Sequence, residues 1–173
     1  STEVAILDDA GAELALGETG EICVRGPQVM RSYWNAPDET AHALSAEGWL
    51  RTGDVGRMDD RGYVEFIERK KDVIVVSGFK VFPNEVEDVV AAHPGVLEVA
   101  AVAQADERSG EAVALFVVRK DPALTEAALL DYCKQHLTGY KQPRQIIFRK
   151  ELPKTNVGKI LRKTSVDELP QLW

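Results

Sequence analysis

The sequence predicts an α+β fold in two parts: a β-rich stretch over residues 1–70 and a small mixed domain over residues 71–173. Three observations carry this. Residues up to about 70 are dense in strand and turn signals. From Val73 onward, short apolar runs alternate with apolar residues at helical spacing. Between the two lies Glu68-Arg69-Lys70-Lys71-Asp72, five charged residues in a row, which reads as a linker, a hinge or a solvated turn.

In the first part, Glu21-Ile22-Cys23-Val24-Arg25 alternates polar and apolar residues, the pattern of a half-buried strand, and Gly26-Pro27 ends it. Asn35-Ala36-Pro37-Asp38 starts a short helix to about Leu44, with Pro37 in its first turn. Asp59-Asp60-Arg61-Gly62 joins Val55–Met58 to Tyr63–Ile67 as a hairpin. In the second part, Val73–Val76 and Lys80–Phe82 flank Ser77-Gly78 as a short hairpin. Pro83 opens a helix with Val86, Val89 and Val90 on one face, ended by Pro94-Gly95. Strands follow near Val96–Ala103 and Ala112–Val118. Thr125 is the N-cap of a helix carrying Leu129, Leu130, Cys133 and Leu137, with Gly139 at its stop. Arg144–Phe148 is a further strand, and a terminal helix starts near Gly158. Interleaved strands and helices over about a hundred residues make a small domain with its own core.

The composition is that of a globular chain: 173 residues, 45% hydrophobic and 28% charged. No apolar run approaches a membrane span, and no secretory signal is visible at the N-terminus. The expected setting is cytoplasmic, with Cys23 and Cys133 reduced and structural. The net charge of −7 argues against general nucleic-acid binding. Its distribution is uneven. Residues 141–163 hold eight basic residues and one acid, so the remainder carries −14. A basic tail on an acidic body suits a polyanionic small ligand, or is simply a solvated face.

Three short motifs could carry chemistry. Gly158-Lys159 is not a P-loop, because Pro153 stands where the first glycine belongs and Ile160 where Ser or Thr belongs. Lys159 is then either a surface lysine or a mobile charge placed to stabilise developing negative charge. Asp54, in Gly48-Trp49-Leu50-Arg51-Thr52-Gly53-Asp54, is either a turn residue or a carboxylate able to hold two ribose hydroxyls. Ser77-Gly78-Phe79-Lys80 is either a plain turn or a place of close backbone approach.

The ordered set is more specific than its members. Gly17–Ile22, Tyr33-Trp34-Asn35, Gly48–Asp54, Arg69–Asp72 with Ser77-Gly78-Phe79, and Pro153-Lys154-Thr155 with Gly158-Lys159 follow one another along nearly the whole chain. The set resembles the C-terminal portion of the adenylate-forming superfamily. The run Arg69–Glu87 is most similar to bacterial long-chain fatty-acid CoA ligases.

The resemblance implies an ATP-dependent acid–thiol ligase that makes acyl-AMP and pyrophosphate with Mg2+, then a thioester with coenzyme A. It implies that residues 71–173 form a mobile lid domain with a short antiparallel sheet and packed helices. Residues 1–70 would be the β-rich end of a large N-terminal domain. Asp54 and Arg69 would bind the nucleotide ribose, and Lys71 would be the hinge. Gly78, Phe79 and Lys80 would line the coenzyme A path, with Lys80 or basic residues around Lys141 meeting its phosphates. Lys159 would be the adenylation lysine, and none of these residues would be a metal ligand. The family's phosphate loop and acyl pocket do not occur in this sequence, so the resemblance implies a fragment inactive alone. Its partners would be fatty acid, ATP, coenzyme A and the rest of the N-terminal domain, with a homodimer and peripheral membrane association also open. Alternatives are a non-catalytic module that binds nucleotide or coenzyme A or docks a partner, an aryl or medium-chain CoA ligase, and a fatty acyl-AMP ligase.

Overall fold

The structure is a computed structural model and describes residues 1–156 with Ile160 and Arg162. The expected terminal helix near Gly158 lies outside the described residues, apart from those two. The chain divides into two compact units, Ser1–Lys71 and Asp72 onward.

The first unit is an antiparallel sheet in strand order: β1 (Glu3–Leu7), β2 (Gly20–Arg25), β3 (Leu50–Met58) and β4 (Val64–Arg69). Helix α1 (Pro37–Ala43) has Pro37 at its start and buries no residue. The β3–β4 turn is closed by Asp59, whose carboxylate accepts from Arg61 N and Tyr63 N, and Gly62 supplies a φ of 82°. The charged run does not begin as a linker. Glu68 and Arg69 belong to β4, and Glu68 is buried just past the register irregularity opposite Val55 and Gly56. Only Lys70–Asp72 leaves the strand, as a 3-10 turn.

The β2 alternation also runs against expectation. Glu21 and Cys23 are the buried face, while Ile22 and Val24 are only half-buried. The reason lies in what Glu21 meets.

The second unit holds β5 (Ile74–Val76), β6 (Phe79–Val81), α2 (Pro83–Ala91), β7 (Val96–Asp106), β8 (Gly110–Arg119), α3 (Glu126–His136) and β9 (Pro143–Arg149). Its sheet is antiparallel through β6-β5-β8-β7, and β9 lies parallel to β8. A parallel neighbour needs a long crossover, and α3 provides it. The β7–β8 hairpin is longer than its apolar run suggests, since Gln104–Asp106 still pair with Gly110–Ala112.

Strand β8 sets the core. Ala112–Val118 is buried on both faces, as an almost unbroken apolar strand must be. Val113, Leu115 and Val117 meet Val86 and Val90 of α2 and Leu129 and Cys133 of α3. Ala114, Phe116 and Val118 form a second cluster, capped by Leu152 with Ile160 against it. Thr125 caps α3, its hydroxyl accepting from Ala128 N at 3.2 Å.

Leu129 is fully buried between α3 and the sheet. Leu129→Ala is expected to cost about 2–5 kcal/mol, read as a lower urea midpoint for loss of helical circular dichroism.

Candidate functional site

The site residues of the first unit gather where β2, β3 and β4 meet. In the β2–β3 register, Cys23 pairs with Arg51 and Glu21 with Val55, so Thr52, Gly53 and Asp54 together oppose Ile22 alone. This bulge is what the turn signal at Gly53 marks. Gly53 sits at a φ of 72°, which side chains other than glycine adopt with strain. Asp54 thus stands on a strand bulge rather than in a free turn.

The bulge brings Asp54 and Arg69 together. They are cross-strand partners, with Arg69 Nε 3.0 Å from Asp54 Oδ1. That approach is an ion pair without hydrogen-bond alignment, and Asp54 Oδ1 is buried with no hydrogen bond. Oδ1 itself is closed to solvent, but the Asp54 side chain keeps 30% of its surface exposed, and a carboxylate accepts at both oxygens, so an incoming hydroxyl can be accepted on the exposed side.

Glu21, by its pattern an ordinary strand residue, underlies this arrangement. It is 5% exposed. Its Oε1 accepts from Gly53 N at 3.2 Å, and its Oε2 faces Lys70 Nζ at 2.9 Å and Arg51 Nη1 at 3.3 Å. Burial works against the Lys70 ammonium, but hydrogen bonds to Glu21 and Asp9 outweigh it and raise its pKa. A groove of about 830 Å3 opens beside the bulge, lined by Tyr33, Trp34, Arg51, Thr52, Gly53 and Lys70. Asp54 does not line it. Lys71 is exposed in the 3-10 turn that ends the first unit.

In the second unit Ser77 and Gly78 form the two-residue turn between β5 and β6, with φ of 50° and 86°. Both values are positive, as a type I′ hairpin requires. Ser77 N donates to Ser109 O at 2.9 Å, tying the turn to the β7–β8 connection. A Cβ on Gly78 would meet nothing within 4 Å. Phe79 is 57% exposed and stacks on Tyr140 with centroids 4.9 Å apart. Lys80 is exposed on β6 opposite Val75. Lys159 and Gly158 lie outside the described residues.

Four of the described basic side chains of the run are ion-paired. Lys141 pairs with Glu85, Arg144 with Asp106 and Lys154 with Glu98. Arg162 forks onto Glu87 through Nε at 3.0 Å and Nη2 at 2.8 Å. The same Glu87 accepts from Ala101 N of β7 at 2.9 Å. Acids from the body of the unit thus offset these four charges locally. Among the described residues no group of three or more His, Cys, Asp or Glu side chains could hold a metal ion. Among them, too, no helix is long and apolar enough to cross a membrane.

Residues 85–159 match the family described as AMP-binding enzyme C-terminal domain, and residues 1–34 match the AMP-binding enzyme family. The chain belongs to this adenylate-forming class, of which it carries C-terminal sequence. Within the class it is similar to long-chain-fatty-acid–CoA ligases. It is 58% identical over 168 residues to that of Salmonella typhimurium, covering 97% of this chain and 30% of the relative. It is 45% identical over 170 residues to that of Bacillus subtilis, with the same shares covered. The ATP-bound crystal structure of MatB from Rhodopseudomonas palustris matches with a TM-score of 0.90 at 34% identity, across 99% of this chain and 34% of that one. The chain therefore spans about 30% of the length of the curated relatives it matches.

Both cysteines are buried and free. Burial pushes the Cys133 thiol up to about 11, and burial first, then Glu21, raises that of Cys23. A raised thiol pKa means that thiolate forms only at higher pH, so at pH 8 roughly a thousandth of Cys133 is thiolate. Iodoacetamide at pH 8 is expected to leave both cysteines unlabelled in the native chain and to label both in urea, as read by intact mass. Rapid native labelling would contradict the structural role.

Proposed function

We propose that the chain is the C-terminal part of an ATP-dependent acid–thiol ligase that joins a fatty acid to coenzyme A through an acyl-adenylate. The observation that carries this reading is the cross-strand pair of Asp54 and Arg69, 3.0 Å apart, with the Asp54 side chain still 30% exposed. It occurs in a chain 58% identical to a long-chain-fatty-acid–CoA ligase. Asp54 accepts from the ribose hydroxyls of ATP and of the acyl-adenylate. Arg69 sits beside the same sugar and offsets the charge of Asp54. ATP would bring the phosphates and the leaving pyrophosphate, and Mg2+ would offset their charge; none of these site residues would be its ligand.

Lys159 acts between the carboxylate of the fatty acid and the α-phosphate. Both are anionic, so their approach is repulsive, and a positioned ammonium offsets that repulsion in the transition state. Lys71 is the hinge, standing at the end of the first unit. Gly78, Phe79 and Lys80 line the coenzyme A path. The glycine is required locally, because its φ of 86° suits the type I′ turn whatever passes over it. What supports the path is the open space above the turn. The ion-paired basic run speaks against the alternative of a module that captures polyanions by general charge.

In the full-length enzyme, Lys159→Ala is expected to slow acyl-AMP formation at least about a hundredfold and to leave thioester formation from supplied acyl-AMP nearly unchanged. Equal loss in both steps would rule out Lys159 as the adenylation lysine.

For the coenzyme A path the informative change is Gly78→Asn, since asparagine tolerates positive φ and leaves the turn intact. It is expected to slow thioester formation about tenfold or more while sparing adenylation, because the added side chain occupies the path. An unchanged second step, with the melting temperature retained, would dismiss the path.

A further inference from the structure

A buried carboxylate on a core strand is costly unless every oxygen is used. Glu21 meets that condition in a particular way. One oxygen takes the Gly53 N–H inside the bulge, and the other holds Lys70 and Arg51. Lys70 directly follows Arg69, the cation facing Asp54. One carboxylate therefore bonds the backbone just before Asp54 and the side chain of the residue just after Arg69.

Thr52 completes the brace. Its hydroxyl donates to Ile22 O at 2.7 Å and accepts from Asp54 N at 3.1 Å. The bulge sets three residues against one and breaks the β2–β3 ladder there. Glu21 and Thr52 supply acceptors for the Gly53 and Asp54 N–H groups at that break. Neither need touch a nucleotide to do this.

We infer that Glu21 and Thr52 are positioning residues for Asp54, holding its carboxylate where the ribose hydroxyls arrive. The inference rests on the reading of Asp54 as the ribose acceptor and goes one step behind it. It makes ribose recognition depend on a charge buried on the neighbouring strand.

The test uses the full-length enzyme and the ATP–pyrophosphate exchange of its first step, with ATP and 3′-deoxyATP as paired substrates. The readout is the ratio of kcat/KM for the two, together with KM for the fatty acid. Loss of fold alone does not move this ratio. A site built to bond a hydroxyl rejects the analogue lacking it, so the wild type is expected to prefer ATP by about a hundredfold or more. Asp54→Ala is expected to bring the ratio near unity. Glu21→Gln and Thr52→Val, both close in shape to the residues replaced, are each expected to lower it at least about fivefold, through KM for ATP, with KM for the fatty acid unchanged. The double variant Glu21→Gln with Asp54→Ala is expected to be no worse in the ratio than Asp54→Ala alone, since Glu21 acts through Asp54.

If Asp54→Ala keeps the wild-type preference, the ribose reading falls and the positioning role with it. If Asp54→Ala loses the preference while Glu21→Gln and Thr52→Val keep it, only the positioning role is overturned. Should Glu21→Gln fail to fold, Thr52→Val decides alone.

Discussion

Strand β8 has no face that can meet water. Ala112–Val118 is apolar at every position, and its two faces must be covered by different parts of the chain. Helices α2 and α3 cover one face, which places Val86, Val90, Leu129 and Cys133 inside. The other is closed by β7 and β9 neighbours with Leu152 and Ile160. The rest of the second unit follows from this demand. The α3 crossover both supplies a cover and returns the chain in the parallel direction that β9 takes. Leu152 and Ile160, on either side of Gly158-Lys159, are held because the sheet needs them, whatever the lysine does.

The first unit is governed by a different constraint, the satisfaction of backbone groups at a broken ladder. Three residues against one leave N–H groups without strand partners, and side chains must replace those partners. Glu21 and Thr52 do so, and the buried charge of Glu21 then demands cations, which Lys70 and Arg51 provide. The same local break sets Asp54 out of the β2 pairing, beside Arg69 and with its side chain partly exposed. A polar cluster that would be a defect in an ordinary sheet is thereby consistent with a binding role.

What could be read from the sequence was what local pattern determines. The helices opened by Pro37, Pro83 and capped by Thr125 stand where their start signals put them, and Ser77-Gly78 makes the expected hairpin turn. The apolar run at Ala112–Val118 has strand length and is apolar throughout, the pattern of a strand buried on both faces. What was not legible depended on distant partners. Glu21 looks like the solvent side of an alternating strand until Lys70, 49 residues later, is seen beside it. Lys141 and Lys154 look like an exposed basic face until Glu85 and Glu98 meet them, each 56 residues earlier. The parallel pairing of β9 likewise leaves no trace in its own residues. For the candidate site, Asp54 and Arg69 were recognisable as an ordered motif, whereas the braces behind Asp54 carry no motif that sets them apart from ordinary strand residues.

The carboxylate of Glu87 bonds β7 through Ala101 N with one oxygen and grips the Arg162 guanidinium with both. It therefore works as a stitch between the sheet and the last described residue of the tail. Leu152 and Ile160 pack on the Phe116 cluster and Arg162 is held by Glu87, so these described residues are structural parts of the unit. Shortening the chain ahead of Ile160 would strip a wall from the Phe116 cluster and leave Glu87 a half-buried charge without its fork. Tolerance of truncation among the described residues of this unit is thus set by a hydrophobic face and one carboxylate.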